Sequence, residues 1–212
     1  MLITKFGQSC LLVETDGVRI LLDPGSYSKS AANLTNLDAL LITHVHADHC
    51  DLPIIKNILS NNPGLLIYTN PQVQESLQTE GIESRLLADG ESTIIKGLSI
   101  EAFGTEHAVV YSDVPVDKNV GFLIGSQLFH PGDSYTVPKK PVRILALPVG
   151  GPWLKMSEAF DYAIAVKPKL VLPIHDAMYA DHNYGADKAA KLLPEHGIEV
   201  KILDPGQPTE IT

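Results

Sequence analysis

A chain of 212 residues, 44% of them hydrophobic, is long enough to bury a sizeable core and too apolar for a disordered polymer. Its formal charge of −9, with 16 Lys and Arg scattered along the chain, disfavours a surface built to grip a long nucleic acid. No apolar stretch approaches the ~20 residues that span a bilayer, and the N-terminus, Met1-Leu2-Ile3-Thr4-Lys5-Phe6, lacks the regions of a secretory signal. No membrane association and a cytoplasmic location are therefore expected, and Cys10 and Cys50 indicate no disulfide framework.

In chain order, apolar patterning predicts short strands at 2–6, 10–15 and 18–22. Asp16-Gly17 joins the last two as a hairpin, because that dipeptide accepts the positive φ of a type I′ turn. The run 38–43 has the short, apolar character of a buried strand. A helix follows at 52–60 with Pro53 in its first turn, then a strand at 65–69 and a helix at 71–80 ended by Gly81. Further strands are expected at 85–88, 92–96, 98–103, 120–124 and 127–130. Ser157 is the expected N-cap of a helix reaching 166 and closing before Lys167-Pro168. A strand at 170–174, a helix at 185–196 and a strand at 199–203 complete the series. With no internal repeat, a single α/β domain over 1–212 is expected. Two packed sheets flanked by helices suit the pattern, but periodicity alone does not choose that topology.

Directly after the run 38–43 stands His44-Val45-His46-Ala47-Asp48-His49, three imidazoles and one carboxylate in six residues. At strand spacing His44 and His46 point to one side, and Asp48 and His49 follow on the turn to the next helix. Nitrogen and carboxylate oxygen together suit zinc, manganese or iron, and no thiolate is needed. Cys50 is accordingly expected to be a small packed or near-site residue. A lone histidine is more often packed or exposed than a ligand, but three more candidates lie downstream. His107 follows the run 98–103, Asp133 lies just past the apolar stretch 120–129, and His175 ends the run 170–174. Each stands where a strand should end, where α/β architectures expose side chains to a shared crevice.

The HxHxDH segment, followed in order by a single His, a Gly-Asp and a late His, resembles the metallo-β-lactamase superfamily. The similarity runs from Ile20-Leu21-Leu22-Asp23-Pro24 to Pro173-Ile174-His175. Within it, Leu147-Pro148-Val149-Gly150-Gly151-Pro152-Trp153-Leu154-Lys155-Met156, with Ala159 and Lys167-Pro168-Lys169, is similar to the bacterial branch containing ascorbate-6-phosphate lactonase and a neighbouring group of metal-dependent hydrolases. The resemblance implies a four-layer αββα sandwich of two mixed sheets flanked by helices, with metals at one edge. It also implies that His44, His46 and His107 hold one metal, that Asp48, His49 and His175 hold a second, and that Asp133 bridges both. Two divalent ions ~3.5–4 Å apart share a hydroxide and make it a nucleophile near neutral pH. Asp48 is the candidate for orienting that water and accepting its proton. Zinc and manganese are the expected metals, with iron or cobalt sharing the same ligand preference.

Other candidates rest on less. Asp23 resembles the family's strand-end carboxylate that orients the motif histidines, although Asp23-Pro24-Gly25 is a turn sequence by itself. His130 is equally explained as an ordinary strand-end residue. The loops 111–119 and 148–156 flank ligand-bearing segments and should form the substrate wall, with Trp153 stacking on substrate or filling a gap. Tyr179 and Tyr184, near His175, are candidate donors to a leaving group, and His196 is read as structural. A hydrolase that opens a lactone or cleaves a related ester of a small substrate, anionic ones included, is the first expectation. A small-molecule or nucleotide phosphodiesterase is the second, and a non-catalytic metal-binding module is the alternative of another class. Thioester hydrolysis lacks an extra histidine near His107. A di-iron oxidoreductase would carry Glu where His46 stands. Oligomeric state is not readable from the sequence.

Overall fold

The computed structural model describes every residue except Asp113. Among the described residues, fourteen strands form two seven-stranded sheets. The first contains β1 (Leu2–Gly7), β2 (Cys10–Thr15), β3 (Val18–Leu22), β4 (Ala39–Ile42), β5 (Leu66–Thr69) and β6 (Arg85–Leu86). The second contains β7 (Ser92–Ile95), β8 (Leu98–Phe103), β9 (Gly121–Ile124), β10 (Leu128–His130), β11 (Ile144–Pro148), β12 (Leu170–Ile174) and β13 (Glu199–Val200). The chain then returns to the first sheet as β14 (Thr209–Glu210), beside β1. Strand order is 14-1-2-3-4-5-6 in one sheet and 13-12-11-10-9-8-7 in the other. Each sheet is mixed, antiparallel where hairpins join neighbours and parallel where a crossover returns the chain. The hairpin turn between β2 and β3 is as expected, with Asp16 and Gly17 both at positive φ.

Three apolar layers hold the sheets and helices together. Ile3, Leu11, Val13, Ile20 and Leu22 face Ile100, Phe122, Ile124, Ile144 and Leu172 between the sheets. The opposite faces are apolar too. Leu12, Leu21, Leu40 and Ile42 pack with Ile54, Ile55 and Ile58 of α1 (Leu52–Asn61) and with Val73 and Leu77 of α2 (Pro71–Thr79). Leu123, Phe129, Leu145, Leu147 and Val171 pack with Ala159, Tyr162 and Ala163 of α3 (Met156–Val166) and Ala189 of α4 (Tyr184–Leu192). Strands covered on both faces need no polar alternation, which is why β4, β11 and β12 are continuous apolar runs. The order is helices, sheet, sheet, helices, the αββα sandwich expected.

Several boundaries differ from the sequence expectation, each for a local reason. The strand before the motif ends at Ile42, so His44 and His46 lie beyond it and strand alternation does not orient them. The strand β11 falls outside the expectation, although Ile144-Leu145-Ala146-Leu147-Pro148 is a buried apolar run like β4 and β12. Lys155, not Ser157, occupies the N-cap position of α3, and no side chain caps it. The predicted helix 185–196 is α4 followed by a 3-10 turn, Leu193–His196, with Pro194 at its start. The strand predicted at 199–203 is only Glu199–Val200. Asp51 caps α1 by accepting from the Ile54 amide, and Asn70 caps α2 through the Val73 amide.

Candidate metal centre

The seven candidate side chains converge at one edge of the sandwich. His44, His46, Asp48 and His49 come from the loop between β4 and α1, His107 follows β8, Asp133 follows β10, and His175 immediately follows β12. Ligand atoms of His44, His46, His107 and Asp133 lie within 4.8 Å of one another, and those of Asp48, His49 and His175 form a second group as tight. Asp133 reaches both groups. Its Oδ1 lies 3.2 Å from His49 Nε2, and its Oδ2 lies 2.9 Å from His175 Nε2, 3.5 Å from His107 Nε2 and 3.9 Å from His44 Nε2. Close packing makes this possible. A Cβ at Gly25 would overlap the carbonyl of Asp48, so only glycine lets the turn after Asp23 lie against the motif loop.

A ring of hydrogen bonds outside the cluster fixes how the imidazoles face inward. Asp23 accepts from the Thr43 amide (2.8 Å), the Thr43 hydroxyl (2.7 Å) and His49 Nδ1 (2.8 Å). His44 Nδ1 donates to Thr43 Oγ1 at 3.0 Å, His107 Nδ1 to the Ala108 carbonyl at 2.6 Å, and His46 Nε2 to Asp117 at 2.9 Å. Four rings therefore turn their lone-pair nitrogens toward the centre. His44 Nε2 and His46 Nδ1 stand 3.1 Å apart with no donor between them, an arrangement a shared cation stabilises. His49 Nε2, His107 Nε2 and Asp133 Oδ1 are buried and make no hydrogen bond. Buried polar atoms normally find a partner. Trp153 Nε1 donates to Asp133 Oδ2 at 2.8 Å, and Asn119 accepts the Asp133 amide.

Burial opposes charge on all these groups, and their mutual arrangement decides the outcome. Burial followed by the charge of His49 holds His44 well below the usual imidazole range. For His49 the burial effect is outweighed by Asp133 and Asp23, which hold its pKa well above that range. His175 is raised in the same way, against burial and by Asp133, to about 9. Asp133 and Asp48 stay well below the usual carboxylate range although burial pushes them up, the first because of His49 and His175 and the second because of its hydrogen bond to His175. Without metal, protons on the histidines are what balance two sequestered carboxylates. Burial lifts the Cys50 thiol to about 12, and Cys50 belongs to neither cluster of candidate ligand atoms.

A beta-lactamase superfamily domain model matches residues 2–175. The chain is 40% identical over 185 residues to Protein Rv0786c of Mycobacterium tuberculosis, covering 85% of this chain and 86% of that one. It is 24% identical to a UPF0173 metal-dependent hydrolase of Carboxydothermus hydrogenoformans, over 98% of both chains. The metallo-beta-lactamase fold protein YhfI of Bacillus subtilis superposes with a TM-score of 0.73 at 18% identity, over 98% of both. The chain belongs to the metallo-β-lactamase superfamily of metal-dependent hydrolases.

In this superfamily member the cluster opens into a cleft of about 280 Å³. Tyr27, Val110, Pro152, Trp153 and Met178 form its walls, and among the described residues neither Lys nor Arg lines it. Of the loops expected to form the wall, 148–156 contributes Pro152 and Trp153. The loop 111–119 contributes the Asp117 contact to His46, and its Asp113 lies outside the described residues. Trp153 both fills and bonds, since its ring lines the cleft while its N–H holds Asp133. His130 is fully buried, donates to the Ser9 carbonyl and accepts the Gly132 amide, so it braces the Asp133 turn and does not face substrate. Tyr184 meets Tyr179 edge to face, and neither ring lines the cleft.

The sequence did not single out the β1–β2 turn, which adds Gln8 to the site. Gln8 Nε2 donates to Asp48 Oδ2 at 2.9 Å and lies 3.2 Å from both ring nitrogens of His175. Its side-chain carbonyl accepts the Ala177 amide, and its backbone carbonyl accepts the His175 amide. Beneath it, Lys5 pairs with Asp176 at 2.5 Å and donates to the Pro173 carbonyl, all buried. Gln8, Asp23 and His175 adopt positive φ, a conformation rare for these residues and held by the contacts around them. A glutamine in a hairpin turn carries no sequence signal. Asp176 was marked only by its adjacency to His175.

Proposed function

We propose that the cluster holds two divalent ions and that the protein hydrolyses the ester bond of a small lactone or open ester. The observation that carries the reading is the inward set of lone pairs, with His49 Nε2, His107 Nε2 and Asp133 Oδ1 buried and unpartnered. Such atoms fit cations bound at ~2.0–2.2 Å, since two ligands on one ion then stand about 3–4 Å apart. His44, His46, His107 and Asp133 would hold one ion, and Asp48, His49, His175 and Asp133 the other. Five imidazoles and two carboxylates favour zinc or manganese, with iron or cobalt suited to the same donors. When bound, such ions lower the pKa of coordinated water toward neutrality and polarise a carbonyl oxygen.

The chain's own residues supply position and proton handling. Asp48 is the more exposed of the two ligand carboxylates that line the cleft, its side chain one-fifth exposed. Gln8 and His175 aim it, which suits a group that orients an attacking water. Trp153 holds Asp133 while covering one side of the cleft. The absence of Arg and Lys from the lining favours a carbonyl centre over a phosphoryl one, whose charge such side chains commonly clamp. The test compares metal-reconstituted wild type with His107→Ala on a lactone, a chromogenic carboxylic ester and a chromogenic phosphodiester. Lactone or ester turnover that disappears in His107→Ala supports the reading. Turnover of the diester alone overturns it.

A further inference from the structure

We propose that the cleft selects an uncharged substrate whose part remote from the reacting bond is aliphatic, such as a short acyl chain or the alkyl branch of a lactone. The inference takes the site of reaction from the hydrolase reading, but its recognition argument stands on the walls alone. Tyr27, Val110 and Met178 come from three separate segments and meet at the rim, each about half exposed, with Pro152 and Trp153 behind them. Scattered exposed apolar side chains are ordinary. Their convergence around the mouth of a reactive cleft marks a binding surface. Val109 and Tyr111, on either side of Val110, are exposed as well, and Val109 lines the neighbouring cleft.

Charge points the same way. No Lys or Arg lines the cleft. The neighbouring cleft, on the other side of Trp153 and His107, is lined by Glu106 and Glu158 and again by no cation. Beyond the metal cluster itself, a phosphorylated or carboxylated tail would find no Lys or Arg among the described lining residues on either path, and on one it would meet two carboxylates. The net charge of −9 adds to that repulsion. A volume of about 280 Å³ lies at the small end of ligand clefts, which suits a short chain. Met178 at the rim adapts to chains of different length.

Trp153 is the only tryptophan of the chain and lines the cleft, so its fluorescence reports occupancy without any turnover. The experiment titrates the metal-loaded protein with neutral primary amides from acetamide to octanamide, and with glucose 6-phosphate. In parallel, kcat/KM is measured for p-nitrophenyl esters from acetate to octanoate. Affinity is expected to rise about two- to fourfold per methylene until the cleft is filled. Glucose 6-phosphate should bind more weakly than hexanamide. V110S/M178S should flatten the slope, whereas Met178→Leu, which keeps the apolar surface, should retain it. A flat amide series, or tighter binding of glucose 6-phosphate than of hexanamide, overturns the proposal. If the amides show the slope while no ester is turned over, the hydrolase reading fails and this one stands. If esters are cleaved equally whatever their length and the amides are flat, this one fails and the hydrolase reading stands.

Discussion

Asp133 is the residue on which the centre turns, because its two oxygens touch histidines of both ligand groups. Asp133→Ala removes the shared carboxylate and leaves His49, His107 and His175 facing one another. Metal analysis after dialysis should then find fewer than two ions per chain, and retention of two would contradict the bridging assignment. Asp23 acts one step further out. It fixes Thr43 and the His49 ring without facing the cleft. Asp23→Ala should weaken metal binding by about 10–100-fold, the usual cost of removing a carboxylate that orients a ligand histidine. Competition with a chromogenic chelator measures that loss, and an unchanged affinity would return Asp23 to a turn residue only.

Among the elements, β1 does more than pair with β2. Lys5 near its end reaches under the site to Asp176, and the turn that follows places Gln8 between Asp48 and His175. Two sheets are thus tied at the cluster by a buried ion pair. Asp176→Ala leaves the Lys5 ammonium buried and unpaired, which should cost about 3–5 kcal/mol. Replacing both partners by apolar residues, Lys5→Met with Asp176→Leu, should recover most of that stability. Chemical denaturation distinguishes the two. Equal loss in the single and double variants would show that packing, and not the unpaired charge, sets the cost.

For the whole molecule, metal and protons compete for one set of buried nitrogens. In the metal-free protein His175 keeps its proton up to about 9, held mainly by Asp133 against the effect of burial. An unfolded histidine titrates near ~6.5. The proton therefore stabilises the fold fully below about pH 6.5, and that stabilisation is lost as pH rises through about 9. His49 is shifted in the same direction and adds to the effect. Chelated protein should show a Tm that falls over this window, while metal-loaded protein should hold its Tm, because the cations replace the protons. A flat profile for the metal-free protein would mean that the carboxylates are balanced in another way.

The sequence alone marked the candidate ligands, and the family resemblance they carry implied the layers. Long apolar runs with turn signals between them are local patterns, and HxHxDH is a dense local motif whose chemistry needs no distant partner to be recognised. His107, Asp133 and His175 were also legible, since each follows a strand end. Tertiary structure alone decided the rest. The hold of Gln8 on Asp48 spans 40 residues of sequence, that of Lys5 on Asp176 spans 171, and that of Trp153 on Asp133 spans 20. The apolar rim is likewise assembled from Tyr27, Val110 and Met178, single side chains that are unremarkable in their own segments. Ligand type is written in residue chemistry, but which side chains orient those ligands and line the approach to them depends on packing between segments distant in the chain.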